Sequence, residues 1–305
     1  MRAAASYRER MSEFAEMKVL DTWYAQVSVD AIKEHFRRDP DFSARLAKKQ
    51  KQARSQNSEA VVPKLTAVID GRRLIKDNPP VLYHLQPSVE NFEMATRRAI
   101  EQYMKSLAAD RRKLVESFRL QDSAIKVVGV GSVGTRCYVT LFLADDDDPL
   151  FLQVKEARRS VLEPPVSKSR YAHQGFRVVT GQRLMQGASD IFLGWFRSAG
   201  GHDYYVRQFC DMKVSAEVET FLPGTLVAYA TVCGWVLARA HAKAGDAAMI
   251  AGYLGSTGRF DDALARYSQA YADQAERDFA TFKAAIRSGR LSTKPEKGAG
   301  LEFLP

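Results

Sequence analysis

Between Val127 and Ala157 the chain reads V-V-G-V-G-S-V-G-T-R-C-Y-V-T-L-F-L, then an acidic turn, then L-F-L-Q-V-K-E-A. Gly129, Gly131 and Gly134 have the spacing G-x-G-x-x-G. The residues after Gly134 constrain the fold more than the glycines do. In a dinucleotide-binding unit the glycines open a helix whose N-terminus holds the pyrophosphate. Here Cys137, Val139, Leu141 and Leu143 alternate with Arg136, Tyr138, Thr140 and Phe142, the period of a strand. The glycine stretch therefore joins two strands. A third short strand over residues 150–155 ends in Val154-Lys155.

Strand, glycine loop, strand, turn and a strand ending in lysine is the layout of a protein-kinase-like nucleotide lobe. Gly129, Gly131, Ser132 and Gly134 are the candidate phosphate cradle, because only glycine lets backbone N–H groups approach phosphate oxygens so closely. Lys155 is the candidate point charge on those phosphates. The competing reading is a tight hairpin with incidental glycines. Segments 191–196 and 204–210 read as two further strands, turned at Ala199-Gly200-Gly201, giving about five antiparallel strands. The second runs out into Q-F-C-D-M-K, so Gln208, Phe209 and Asp211 are candidates for a hinge that meets the adenine, against an ordinary strand end. The helix expected over 176–186 contains no acid to pair with Lys155; Glu156 and Glu163 lie nearby without a clear placement.

The chain has 305 residues and a formal net charge of +9, which favours acidic partners such as a nucleotide, a phosphorylated substrate or nucleic acid. Nucleic acid is the weaker option: the basic residues between 30 and 58 have no aromatic interleaved after Phe42 and read as a solvated helix face. Cys137, Cys210 and Cys233 lie far apart, with neither metal-ligand nor disulfide spacing, so a cytoplasmic location and no metal ligands are expected. No run approaches membrane-spanning length.

Elsewhere the pattern is mainly helical. Residues 2–19 place Tyr7, Met11, Phe14 and Met17 at helical spacing, followed by Trp23 and Tyr24 as expected anchors. Residues 65–75 read as a hairpin about Asp70-Gly71. One long helix is expected over 89–118, and a buried helix over 225–242. It ends in A-R-A-H-A-K-A-G-D, where Asp246 is a weak candidate base; the alternative makes Gly245 a C-cap and Asp246 the start of the next segment. Asp145–Asp148 reads as a solvated turn. The last helix, 261–287, should turn Leu264, Tyr267, Tyr271, Phe279, Phe282 and Ile286 inward, and the tail after Gly289 should be disordered. The expected organisation is a helical region with a hairpin over 1–120, a glycine-loop β lobe over 121–212, a helical lobe over 213–288 and a tail over 289–305.

Several phrases are specific: K-V-V-G-V-G-S-V-G-T-R-C, L-Q-V-K-E-A, G-Q-R-L-M-Q-G-A-S-D-I-F-L-G-W, Y-Y-V-R-Q, L-A-R-A-H-A-K-A-G-D and Y-A-D-Q. Through them the chain resembles the bacterial domain-of-unknown-function family 2252 over residues 1 to about 290. The resemblance implies an α+β, protein-kinase-like fold in a permuted order, from phosphotransferases acting on small molecules. It also implies a leading segment with G-D-x-H-x-x-N-F-G and D-x-N-D-F-D phrases, which are not in this sequence. The chain is thus expected to bind ATP with magnesium, to lack the catalytic acid loop, and to transfer phosphoryl weakly or not at all by itself. The alternative is a non-catalytic protein that uses its basic surface on an acidic partner such as RNA.

Overall fold

The computed structural model describes residues 1–37, 40–54, 58–84, 89–127, 134–145, 148–209 and 216–292, with backbone alone at 54 and 89–93. Among these, the chain is a mixed α+β protein with eleven α-helices and two antiparallel sheets. The first part runs α1 (Arg2–Glu16), α2 (Val19–Tyr24), α3 (Val29–His35), α4 (Pro40–Arg54), α5 (Ser58–Leu65), β1 (Thr66–Ile69), β2 (Arg72–Ile75), β3 (Leu82–Tyr83), α6 (Val89–Lys105) and α7 (Ala109–Val115). Then come β4 (Arg119–Lys126), β5 (Cys137–Leu143), β6 (Pro149–Glu156), α8 (Gln174–Met185), β7 (Gly194–Arg197) and β8 (Asp203–Gln208). The last three helices are α9 (Pro223–Ala244), α10 (Ala247–Leu254) and α11 (Arg259–Arg287). Two compact units result. One joins Met1–Arg45 to the stretch beginning at Glu217; the other is Leu46–Ala216.

In the second unit β1 and β2 pair about Asp70-Gly71, with φ of 49° and 75°. Both central residues are left-handed, as a two-residue hairpin of matching twist requires. The larger sheet has the order β3-β4-β5-β6-β8-β7. Thus β4, β5 and β6 form a meander, and the β7–β8 hairpin returns after α8 to add β8 beside β6. The long helix expected over 89–118 is broken instead. Ser106 Oγ donates to Tyr103 O at 2.6 Å and accepts Trp195 N–H at 2.9 Å, while Arg112 Nε donates to Met104 O. The hydroxyl is thus shared between a helix end and a strand, which ends α6 there. The approach is close: a Cβ on Gly194 would lie 2.6 Å from Ser106 Oγ and 2.7 Å from the Tyr103 ring.

In the first unit α1 lies along α9. Nearly every α9 position is apolar or small, and its buried residues are Thr225, Ala228, Thr231, Gly234, Ala238, Arg239, Ala240 and Ala242. Small side chains let the α1 backbone approach; the one long side chain among these buried residues, Arg239, donates from Nε to Ala25 O at 2.9 Å. Leu226, Val227, Val236 and Leu237 are exposed, so α9 is not the fully buried helix that its composition suggests. Met11 and Phe14 of α1 pack with Ala238, Ala242 and Leu254, as the spacing in α1 predicts, whereas Met17 is exposed. Ser6 Oγ donates to Thr231 O at 2.8 Å, Tyr7 Oη meets His241 Nδ1 at 2.9 Å, and Arg8 Nη2 bonds Asp261 Oδ2 at 2.9 Å. Trp23 and Tyr24 are exposed rather than buried anchors; Lys243 Nζ sits 4.7 Å from the Trp23 ring centre. Gly245 caps α9, and Asp246 caps α10 by accepting Met249 N–H at 2.9 Å, so Asp246 has a structural role. The stripe expected to face inward from α11 does not: Leu264, Tyr267, Tyr271, Phe279 and Phe282 are exposed.

Candidate functional site

Alternation along the strands sorts the six-stranded sheet into two faces. Tyr138, Thr140, Phe142, Leu152, Val154, Tyr204 and Val206 form one, packed against Ala99, Ile100 and Tyr103 of α6. A cavity of about 220 Å³ lies there. On the opposite face the register sets Cys137 beside Lys155 and Lys155 beside Tyr205, with Gln153 beside Arg207 one step along. Lys126 has the same parity through Ala124, which pairs with Val139. Burial pushes the Cys137 thiol up to about 11, against the opposing pull of Lys155, Lys126 and Arg207. The thiol therefore lies in the field of all three cations.

These groups are held by their strands. Arg207 Nε donates to Gln153 Oε1 at 3.0 Å. Lys126 is buried, with Nζ 5.7 Å from the centre of the Phe209 ring. Lys155 is half-buried on β6, and Gly134 is exposed at φ +77°, a conformation that favours glycine. Gly134 sits three residues before Cys137, and its carbonyl accepts from Arg158 Nη2. Glu156 lies on the face opposite Lys155. There Arg136 N–H and Nη1 reach its Oε2 at 2.9 and 3.2 Å, and Arg158 Nε reaches Oε1 at 3.0 Å. Glu163 is held by Arg159 Nε.

Of the residues singled out from the sequence, Gly129, Gly131, Ser132 and Asp211 lie outside the described residues, as does the tail from 293. Gly134, Lys155, Gln208 and Phe209 are described. Gln208 N–H donates to Asp190 Oδ2 at 2.6 Å and Phe209 N–H to Phe151 O at 2.9 Å. The backbone donors of both hinge candidates are thus used inside the protein. Lys126 and Arg207 were not anticipated. Their signal was parity: each stands at the face position of Cys137 and Lys155, but parity across strands is unknown until the register is.

A second charged cluster borders this face. A bulge between Leu120 and Asp122 turns the Asp122 carboxylate towards β2 and β3. It accepts Ile75 N–H at 2.7 Å and faces His84 Nε2 at 3.1 Å, while His84 Nδ1 meets Asp77 Oδ1 at 2.8 Å. The hydrogen bond to Asp122 outweighs burial and lifts His84 to about 9, with Asp77 adding to the rise. Burial pushes Asp122 up, but the His84 and backbone bonds together hold it below the usual carboxylate range. Because the folded His84 value is the higher one, its contribution is complete below about 6.5 and is lost as pH rises through about 9. Urea unfolding of the native chain should lose about 2 kcal/mol across that window, after allowance for solvent screening. His84→Gln should show a flat profile there; equal slopes in both proteins would place the titration elsewhere.

Residues 1–285 match the family described as an uncharacterized protein conserved in bacteria (DUF2252). The chain belongs to this family. No curated protein and no solved structure matches it. No helix among the described residues is long and apolar enough to cross a membrane. Nor do the described residues of this family member contain a group of three or more His, Cys, Asp or Glu side chains able to hold a metal ion.

Proposed function

We propose that this chain binds a nucleotide, ATP, on the sheet face that carries Lys126, Lys155 and Arg207, in a protein-kinase-like lobe whose glycine loop is the stretch between β4 and β5. The observation that carries this reading is the gathering of three cations around Cys137: Lys126 at the end of β4, where that stretch begins, Lys155 on β6 beside Cys137, and Arg207 on β8. A triphosphate brings several negative charges to one place, and cations on neighbouring strands of a part-buried face would attract it more strongly than scattered surface lysines. The meander β4-β5-β6, followed by a helix and a hairpin that returns to β6, supports this reading, while β3 beside β4 makes the sheet six-stranded instead of the five strands expected. Gly134, with its left-handed backbone and its carbonyl tied to Arg158, would hold the end of the loop.

The fit to magnesium is poorer. Asp122 and Asp203 share the cationic face by alternation, but donors surround each: His84 and two backbone N–H groups at Asp122, Arg197 and Gln174 N–H at Asp203. Phosphoryl transfer needs a base and metal carboxylates. Nucleotide binding is therefore the activity proposed for these residues, as part of a phosphotransferase of small molecules, with weak or no transfer by the chain alone.

Thermal unfolding with and without millimolar ATP and magnesium provides the test. A ligand present at about 100 times its Kd stabilises by about 2.7 kcal/mol, and a rise of several degrees is expected. Lys155→Ala should abolish that rise, and Lys126→Ala or Arg207→Ala should reduce it. An unchanged rise in Lys155→Ala would overturn the reading. Salt-dependent binding of RNA that survives the loss of Lys155 would instead favour a basic-surface protein.

A further inference from the structure

Helix α11 is 29 residues long, about 43 Å at 1.5 Å per residue. It is joined to α1 near its start, by Asp261 with Arg8 and by Phe260 in the cluster around Met11. Beyond that turn it carries Leu264, Tyr267, Tyr271, Phe279 and Phe282, exposed by 39, 63, 62, 58 and 51 per cent. At about 100° per residue these five and Ala275 fall within an arc of roughly 120°. A stripe of this kind in water needs a partner.

The pattern of α11 says which partner fits. We propose that two copies of this chain associate through α11, paired antiparallel about a two-fold axis at the level of Asp273. In that register Leu264 faces Phe282 of the second copy, Tyr267 faces Phe279, and Tyr271 faces Ala275, so the longest side chain meets the smallest. A two-fold contact requires each pairing to occur twice with the roles exchanged, and this one does. The charges agree as well. Asp262, Arg266 and Asp273 lie on the far side of the helix; within the stripe Asp278 faces Ser268, and beside it Glu276 faces Ala270, so no like charges meet there. A parallel, in-register pair would set Asp278 against Asp278 at the edge of the stripe and Tyr271 against Tyr271. Burying the five side chains on two chains would remove on the order of 1,000 Å² from water, near the lower bound for a specific interface.

Sedimentation velocity on the full chain from about 1 to about 50 μM would read this directly. A dimer at the upper concentrations is expected. Phe279→Glu should weaken the dimer by about 30-fold or more, the order expected for a central interface residue, with no change in Tm at low concentration. A short bis-maleimide should join a Tyr267→Cys chain to a Phe279→Cys chain far faster than it joins two Tyr267→Cys chains; the native chain is the control for its own cysteines. A native chain that is monomeric at about 50 μM, a dimer indifferent to Phe279→Glu, or efficient joining of two Tyr267→Cys chains would each overturn the proposal. So would a native monomer that dimerises once the chain is ended after Ser292, because the stripe would then be covered by the chain's own tail.

Discussion

Gly234→Val is expected to stop α1 from seating on α9 and to lower Tm by about 10 °C. A Cβ at Gly234 would lie 2.3 Å from the Ala3 carbonyl oxygen, and 2.9 Å from both Ser6 Cβ and Tyr7 N. Two of these atoms are backbone, so no rotamer change relieves the overlap; α1 must move as a body. That movement would strain the bonds from Ser6 Oγ and Arg2 Nε to Thr231 and open the cluster around Met11, which has no exposed surface. Overpacking a close helix contact costs about 3 kcal/mol, and a domain of this size loses roughly 2–4 °C per kcal/mol. A helical glycine replaced in open space should do the opposite. Gly252→Ala in α10 meets nothing within 4 Å, and relief of backbone entropy should stabilise by about 0.5–1 kcal/mol. Differential scanning of the two variants separates the effect of contact from that of propensity. Equal midpoints would mean that α1 and α9 are not packed through Gly234.

The contrast between α9 and α11 marks the limit of local sequence signals. Hydrophobicity announces α9 as a helix, but with apolar residues on all sides it cannot say which stripe another helix covers. The answer lay in side-chain size, and the partner lies more than 200 positions earlier in the chain. In α11 the period of the stripe is legible and its burial is not, since a stripe specifies a need and not what meets it. The strands were legible for the converse reason. Period two in 137–143, and Asp70-Gly71 between two short runs, are local signals that the pairing satisfies. The break at Ser106 depends on Trp195, and the grouping of Lys126 and Arg207 with Lys155 depends on register. Both are facts about pairs of distant segments.

Glu156 is the residue whose role the sequence left open, and its replacement should have the second large effect. The side chain is 5 per cent exposed and gathers one backbone N–H and two guanidinium groups. The backbone closes the same circuit, with Glu156 N–H donating to Arg136 O at 2.8 Å. The carboxylate therefore ties the end of β6 to Arg136 at the start of β5, and through Arg158 to the Gly134 carbonyl. Glu156→Ala leaves the Arg136 amide without this acceptor and two arginines facing each other. Both arginines are about half exposed and can turn to water, so the loss should be about 2–3 kcal/mol rather than that of a fully buried pair. Glu156→Gln keeps an acceptor and should lose less. Limited proteolysis should cut faster between 127 and 136 in the alanine variant, because the stem of that stretch is what the carboxylate fixes. The sign of the shift sets the pH dependence. Burial raises Glu156, but the bonds from Arg158 and Arg136 hold it net below the usual carboxylate range. Its contribution is then complete above the ordinary value near 4.3 and disappears as pH falls through the lower folded one. Native and alanine proteins should differ most near neutrality and converge in acid. A gap in stability that persists unchanged into acid would show that the loss came from packing and not from the charge.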